Sequence, residues 1–372
     1  MDLGTGPAAA DTVHPPMAQR GACRQHRRSH RFVLTLSRPT MTTLSLDTVP
    51  LIDIGSLPQR GADGATESVA LAIASACKNT GFFYVANHGV QKQTIADAFE
   101  ANKRFHARPD EDKLKLRLNR WHRGYQSLGG SKLNSSARFK AARHPNQLES
   151  FFVRHEVDPG HADYENKPLQ GPNQWPEDPW FVAAVRKYDA AVLDLGMRLL
   201  PAFSLALGQD ADFFSRRFAP ASTALRLIHY PPTPADRPED LYGANEHTDY
   251  GFMTLLVQDS IGGLQVQFSD GSWVAVPYIP DTYVVNIGDM LSRWTNGYFH
   301  STPHRVLNAS TQRDRYSVAY FFDPDLDTMI SGLPNLADPA SQVRFDPIRL
   351  VDYVSMRLDA NYQDRQVKAP DS

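Results

Sequence analysis

The chain has 372 residues, 41% of them hydrophobic, and 39 Lys and Arg against 41 Asp and Glu, for a formal net charge of -2. That is enough apolar mass for one large core or two closely packed ones. Balanced charge gives no global electrostatic case for nucleic acid or an anionic membrane, and polar residues interrupt every apolar run, so small molecules are the expected partners.

Residues 1–40 carry six arginines, Arg20, Arg24, Arg27, Arg28, Arg31 and Arg38, against Asp2 and Asp11, and show little periodicity. They are read as a disordered leader, or as translated sequence upstream of a true start at Met41, although an Arg-rich, acid-poor stretch also suits a transit peptide. "VPLIDIGSL" (49–57) reads as a strand, residues 65–78 as a helix burying Val69, Ile73 and Cys77, and "GFFYVANHGV" (81–90) as a second strand and turn. A further helix covers 91–108. Between Arg120 and Trp180 the chain is rich in Gly, Pro, Asn and His, which predicts loops with short strands around "LESFFVRHE" (148–156). Long loops in compact domains tend to carry function, so Arg123, Tyr125, Gln126, Glu149 and Phe151 are candidate substrate-facing residues.

Pro179 and Trp180 open the strongest helix, which has Val185, Tyr188, Val192, Leu195 and Leu199 on one stripe and stops at Gly208. From Ser222 to Pro324 short β-type runs alternate with turn signals at roughly ten-residue spacing, the pattern of a sandwich or barrel, here a jelly roll. Asp270-Gly271 marks a hairpin. Residues 345–362 read as an amphipathic helix placed to cover a cavity mouth. The expected division is a leader (1–40), an N-terminal α/β region (41–175), a long scaffold helix (176–220), a β-rich core (221–330) and a C-terminal helix and tail (331–372). With only Cys23 and Cys77, no disulfide framework is called for, and a reducing cytoplasm is the simplest setting.

Within "NEHTDYGFMTLL" (245–256), His247 and Asp249 stand two apart, so on a strand they would project to one side. They suit a metal that must bind both a cosubstrate and O2: three protein ligands on one face, two imidazoles and a carboxylate, leave three positions open on Fe(II). The third ligand is expected from another strand, and His304 in "FHSTPHRVLN" (299–308) is the best candidate, because Pro303 precludes a helix that would pair it with His300. In "RDRYSVAYFF" (313–322) Arg315 and Ser317 share a strand face with Ala319 and Phe321, an arrangement that grips a carboxylate inside a cavity. Tyr230 can add a phenol there or serve as a core tyrosine. Taken alone, a His-x-Asp pair also suits two solvated polar residues, and two His with one carboxylate also suit a zinc hydrolase, for which no companion acid or base stands out.

In order and in combination these segments resemble the isopenicillin N synthase-like branch of the iron(II) and 2-oxoglutarate-dependent oxygenases, from Val49 to about Tyr362. "RGYQSLG" (123–129), "LRLIHYPP" (225–232), "HTDYGFMTLLVQDSIGGLQV" (247–266), "VVNIGDMLSRWTNGYFHSTPHRV" (284–306) and the Arg-x-Ser of 315–317 carry the likeness. The resemblance implies a mainly β fold with flanking helices, a double-stranded β-helix (a distorted jelly roll) with the long helix packed outside it. It implies Fe(II) held by His247, Asp249 and His304, and 2-oxoglutarate and O2 as cosubstrates, with Arg315 and Ser317 on the distal carboxylate and Tyr230 assisting. The implied reaction is oxidation, by default hydroxylation, of a small-molecule substrate with release of succinate and CO2, in a monomer or weak homo-oligomer. Ile228 departs from the pattern, since many relatives have Asn two residues before that tyrosine. The alternatives are a 2-oxoglutarate-independent oxidase of the isopenicillin N synthase type, and ethylene and succinate formation from 2-oxoglutarate itself.

Overall fold

A computed structural model of the protein describes residues 49–131, 142–308, 310–333 and 343–362. All of them belong to one unit, Met41–Ser372. The leader at 1–40 lies outside the described residues, as do 334–342 and 363–372 of the C-terminal region.

Local signals set the N-terminal elements. β1 (Leu51–Asp53) leads to α1 (Gly64–Asn79), which Asp63 starts with a capping box: its carboxylate accepts from the Ala65 and Thr66 amides, and Thr66 Oγ1 accepts from the Asp63 amide. β2 (Phe82–Ala86), α2 (Lys92–His106) and the short α3 (Asp110–Leu114) follow, then β3 (Gly124–Gln126) and β4 (Glu149–Arg154). α4 (Pro179–Ala206) runs 28 residues; Asp178 caps it by accepting from the Phe181 amide at 3.1 Å, and Pro179 fills its first turn. Gly196 of α4 lets the helix approach the sheet, since a Cβ there would stand 2.9 Å from the Phe322 ring.

The β-rich part contains β5 (Ser222–Tyr230), β6 (Ala244–His247), β7 (Met253–Gln258), β8 (Leu264–Gln267), β9 (Trp273–Val276) and β10 (Tyr283–Ile287). After α5 (Asp289–Trp294) come β11 (His304–Val306) and β12 (Arg315–Asp323). A small pair, β13 (Met329–Ile330) and β14 (Ile348–Arg349), precedes α6 (Leu350–Asn361). The expected hairpin joins β8 to β9, with Gly271 at φ 84° and the Phe268 amide donating to the Ser272 carbonyl.

Eight strands form one sheet in the order β1-β2-β10-β7-β12-β5-β4-β3, and four form a second, β6-β11-β8-β9. The large sheet sorts its side chains by pleat. Phe83, Val85, Phe151, Leu225, Leu227, Val318 and Tyr320 face the core shared with α1, α2 and α4. Phe82, Tyr84, Ile228, Tyr230, Val284 and Ala319 face the other way, into a second core with Leu264, Val266, Val276 and Val306 of the small sheet. Two sheets closing on an inner core, with helices outside, are the double-stranded β-helix arrangement that the strand rhythm suggested. β1 to β4 extend the same sheet as β5, β7, β10 and β12, so the sheet crosses the expected division at 175/176. Among the described residues no helix is long and apolar enough to cross a membrane.

Candidate metal centre and its two cavities

β6 ends on His247, and Asp249 lies two residues beyond it. The pleat of one strand, on which the sequence reading relied, is therefore not what aligns the pair. The segment 248–252 lies outside any strand and is held in place by neighbouring elements. The Phe252 amide donates to Asp323 Oδ1 at 2.6 Å, the Asp289 amide donates to the Asp249 carbonyl at 2.7 Å, and Gly251 lies so close to Asp323 that a Cβ there would meet its carboxylate at 2.0 Å. His304 opens β11 and stands directly across from His247 in the antiparallel register. Candidate ligand atoms of His247, Asp249 and His304 all lie within 4.8 Å of one another. The two imidazole Nε2 atoms are 3.9 and 3.7 Å from Asp249 Oδ1. His300 is not part of this cluster: it is exposed, and its amide donates to the Cys77 carbonyl at 2.9 Å.

Each ligand is oriented by a neighbour. His247 Nδ1–H donates to the Asn245 carbonyl at 2.7 Å, and His304 Nδ1–H to the Thr302 carbonyl at 3.2 Å, which leaves both Nε2 lone pairs free. Asn286 Nδ2 donates to Asp249 Oδ2 at 2.7 Å and Thr254 Oγ1 donates to the same oxygen, leaving Oδ1 aimed at the histidines. Burial and the nearby His304 push His247 down to about 4, so it is neutral at physiological pH. Burial would raise Asp249, but His304, His247 and the bonds from Asn286 and Thr254 override it and hold the carboxyl below its ordinary value. A neutral imidazole at His247 beside an ionised Asp249 suits a divalent cation.

From the triad one cavity runs between the sheets to Arg315, past Phe82, Ile228, Leu256, Leu264, Ala319 and Tyr230. Arg315 is completely buried, as is Ser317. Its Nη2 donates to Gln258 Oε1 at 3.1 Å, its Nε to the Gly262 carbonyl and its Nη1 to Ser317 Oγ at 3.4 Å, and the guanidinium lies 4.5 Å from the Tyr230 ring centre. All of those partners are uncharged, so a buried cation closes this end. Asn102 of α2 braces the two strands from behind by donating to the Ile228 and Ser317 carbonyls.

A second cavity opens on the other side of the triad, lined by Leu148, Phe152, Arg154, Arg226, Tyr250, Phe321 and Asp323, and covered by Val354, Leu358 and Asn361 of α6 and by Tyr362, the residue after it. Burial raises Asp323 to about 6, and the Arg154 charge partly offsets that. α6 is tied down where Asn361 donates to the Tyr250 hydroxyl and Arg357 pairs with Asp289 at 2.8 Å; Asp289 also accepts from Thr248 Oγ1 at 3.0 Å.

The candidates from residues 120–151 are placed elsewhere. Arg123, Tyr125, Gln126, Glu149 and Phe151 are all buried, and none lines either cavity. Arg123 donates to the Trp121, Leu169 and His155 carbonyls, a brace for the loop. Tyr125 and Lys113 donate to Glu149, whose other oxygen lies 2.7 Å from His229 Nδ1, on the helix side of the sheet. Phe151 packs against Phe105 and Phe181. Gln126 reaches the cavity only indirectly, by accepting from Arg226. The reason is pleat: on β4 the even-numbered residues face the cavity and the odd-numbered ones face the helices. Leu148, Phe152, Arg154 and Arg226 were missed, although alternation counted back from Tyr230 places Arg226 on the cavity face.

Comparison with known proteins gives the following. A model of the 2OG-Fe(II) oxygenase superfamily matches residues 221–324, and one of the non-haem dioxygenase in morphine synthesis N-terminal region matches residues 49–178. A 2-oxoglutarate-Fe(II) type oxidoreductase of Emericella nidulans is 33% identical over 84% of this chain and 90% of its own length. A homoarginine-6-hydroxylase of Arabidopsis thaliana is 34% identical over 77% of this chain and 87% of its own. A Neurospora crassa enzyme crystallised with alpha-KG and thymine superposes with a TM-score of 0.73 at 29% identity, over 85% of this chain and 98% of that one.

Proposed function

Since the chain belongs to the 2OG-Fe(II) oxygenase superfamily and is an Fe(II)- and 2-oxoglutarate-dependent dioxygenase, we propose that His247, Asp249 and His304 hold its iron and that Arg315, Ser317 and Tyr230 hold the distal carboxylate of 2-oxoglutarate. The observation that carries this assignment is that the triad and the buried guanidinium occupy two ends of one cavity. Bound iron with 2-oxoglutarate and O2 supplies the oxidising power for a substrate C–H bond, with succinate and CO2 released. The chain supplies orientation. Asn286 and Thr254 fix which oxygen of Asp249 faces the metal, and the carbonyls of Asn245 and Thr302 fix the two imidazole tautomers. Ser317 and Gln258 hold the Arg315 fork so that its position is set before the cosubstrate arrives.

The substrate is a small molecule hydroxylated in the second cavity, where Leu148, Phe152 and Phe321 exclude water and α6 forms the roof. Ile228 puts an alkyl group on the wall of the cavity that would hold the cosubstrate, where an amide could otherwise contribute a polar contact. The enzyme works in a reducing cytoplasm, a setting in keeping with a buried free thiol at Cys77. The test is anaerobic loading with Fe(II) and 2-oxoglutarate, then exposure to O2 with a metabolite panel. Succinate release is expected, and His247→Ala and His304→Ala are expected to bind less than a tenth of the wild-type iron. Full iron content in either variant sinks the ligand assignment.

A further inference from the structure

Among the described residues, Arg315, already placed at the cosubstrate's distal end, and Arg226 donate hydrogen bonds only to uncharged groups. The other arginines nearby are balanced. Arg357 pairs with Asp289 and Arg305 with Glu246, and Arg154 lies close enough to Asp323 to offset part of the rise that burial causes there. Arg226 Nε donates to Ser150 Oγ and its Nη2 to Gln126 Oε1, both at 3.0 Å, while the guanidinium sits 4.8 Å from the centre of the Phe152 ring. Among the described residues no carboxylate forms an ion pair with it. A half-buried, pre-positioned cation without a counter-ion is an incomplete anion site.

We infer that Arg226 is the specificity-determining residue of the second cavity and pairs with a carboxylate on a substrate whose remaining body is apolar. The inference rests on the oxygenase assignment above and names the substrate class of that same site. Arg226 lines both cavities, and the direction in which its head is anchored separates this role from cosubstrate binding. In the sheet order β12-β5-β4-β3, Arg315 lies on β12, on one side of β5, whereas the Arg226 head is anchored on the opposite side by Ser150 and Phe152 of β4 and Gln126 of β3. Arg226 also stands four residues from Tyr230, roughly 13 Å along the strand, away from the clamp. Phe152, Phe321 and Leu148, with Val354 and Leu358 from the roof, give the remainder of the ligand an apolar wall.

The experiment uses the full chain loaded anaerobically with Fe(II) and 2-oxoglutarate and titrated calorimetrically with matched acids and amides: phenylacetate and phenylacetamide, indole-3-acetate and indole-3-acetamide, hexanoate and hexanamide. At least one acid is expected to bind tenfold or more tightly than its amide. Arg226→Gln is expected to erase that preference and Arg226→Lys to keep part of it, with the Kd for 2-oxoglutarate shifting less than threefold in both. Amides that bind wild type as tightly as the acids overturn the inference, as does an Arg226→Gln protein that keeps the preference, or one that loses 2-oxoglutarate by tenfold instead. A wild-type protein that fails to bind 2-oxoglutarate with Fe(II) overturns the underlying assignment rather than this inference alone.

Discussion

Asn286 shows how much of the centre depends on groups that never touch a metal. Its amide occupies Asp249 Oδ2 at 2.7 Å together with the Thr254 hydroxyl, so the carboxylate presents one oxygen in one direction. Removing such a support typically lowers metal affinity by about 10- to 100-fold, and Asn286→Ala should show that loss in an Fe(II) titration while its thermal unfolding stays close to wild type. Arg315 is held differently, because its fork is buried among uncharged acceptors and awaits an anion. Arg315→Gln should raise the KM for 2-oxoglutarate by roughly 100-fold, and Arg315→Lys, which keeps the charge but loses the fork, by roughly tenfold. An unchanged KM in both would place the cosubstrate elsewhere.

Elements decide what the side chains can reach. β4 is read by the helices on its odd residues and by the cavity on its even ones, which is why Phe151 and Glu149 are structural while Phe152 and Arg154 line the site. α4 lies against β12 at Gly196, where an added Cβ would stand 2.9 Å from the Phe322 ring. Gly196→Val should therefore destabilise the fold by about 1–3 kcal/mol, read as a lower midpoint in urea or heat, with metal content per folded molecule unchanged. α6 roofs the second cavity through Arg357, whose partner Asp289 also takes the Thr248 hydroxyl beside the metal strand. Arg357→Met should loosen that roof, raising succinate formation that is uncoupled from substrate oxidation; a ratio of succinate to product equal to wild type would show that the roof does not depend on this pair.

At the scale of the whole molecule, the titratable groups behind the sheet set its response to acid. Burial pushes His106 down to about 3, so the fold holds it neutral. Burial would raise Glu149, but bonds from His229, Lys113 and Tyr125 hold it at about 2. Both folded values lie below the unfolded ones, near 6.5 for His106 and 4.5 for Glu149, so the unfolded chain binds more protons in acid. Stability then falls as pH drops from about 6.5 toward 3, with a slope of about 1.4 kcal/mol per pH unit for each proton taken up. His229 acts in the opposite sense: burial lowers it, yet Glu149 and Asp314 raise it overall, so its contribution is present at low pH and is lost as pH rises through its raised value. Urea midpoints measured from pH 4 to 8 should show a steep acid limb, and His106→Gln should flatten it between pH 6.5 and 4. An unchanged limb in that variant would mean the acid sensitivity originates elsewhere.

The sequence by itself determined the elements and their chemistry. Period-3.6 and period-2 patterns, capping residues and turn dipeptides placed α1, α4 and most strands of residues 222–324, because those signals are local. The motif order around His247, His304 and Arg315 pointed to the family for the same reason, since ligand type and order survive in one dimension. Tertiary structure alone decided three things. It showed that Asp249 lies just beyond the end of β6, in a segment held by Asp323 and the Asp289 amide, and not within the strand itself. It selected which face of β4 meets the cavity, a choice that a short strand leaves open until its neighbours are paired. Among the described residues it also left Arg226 without a carboxylate in an ion pair, because counter-ions come from strands distant in sequence and only pairing reveals which charges meet.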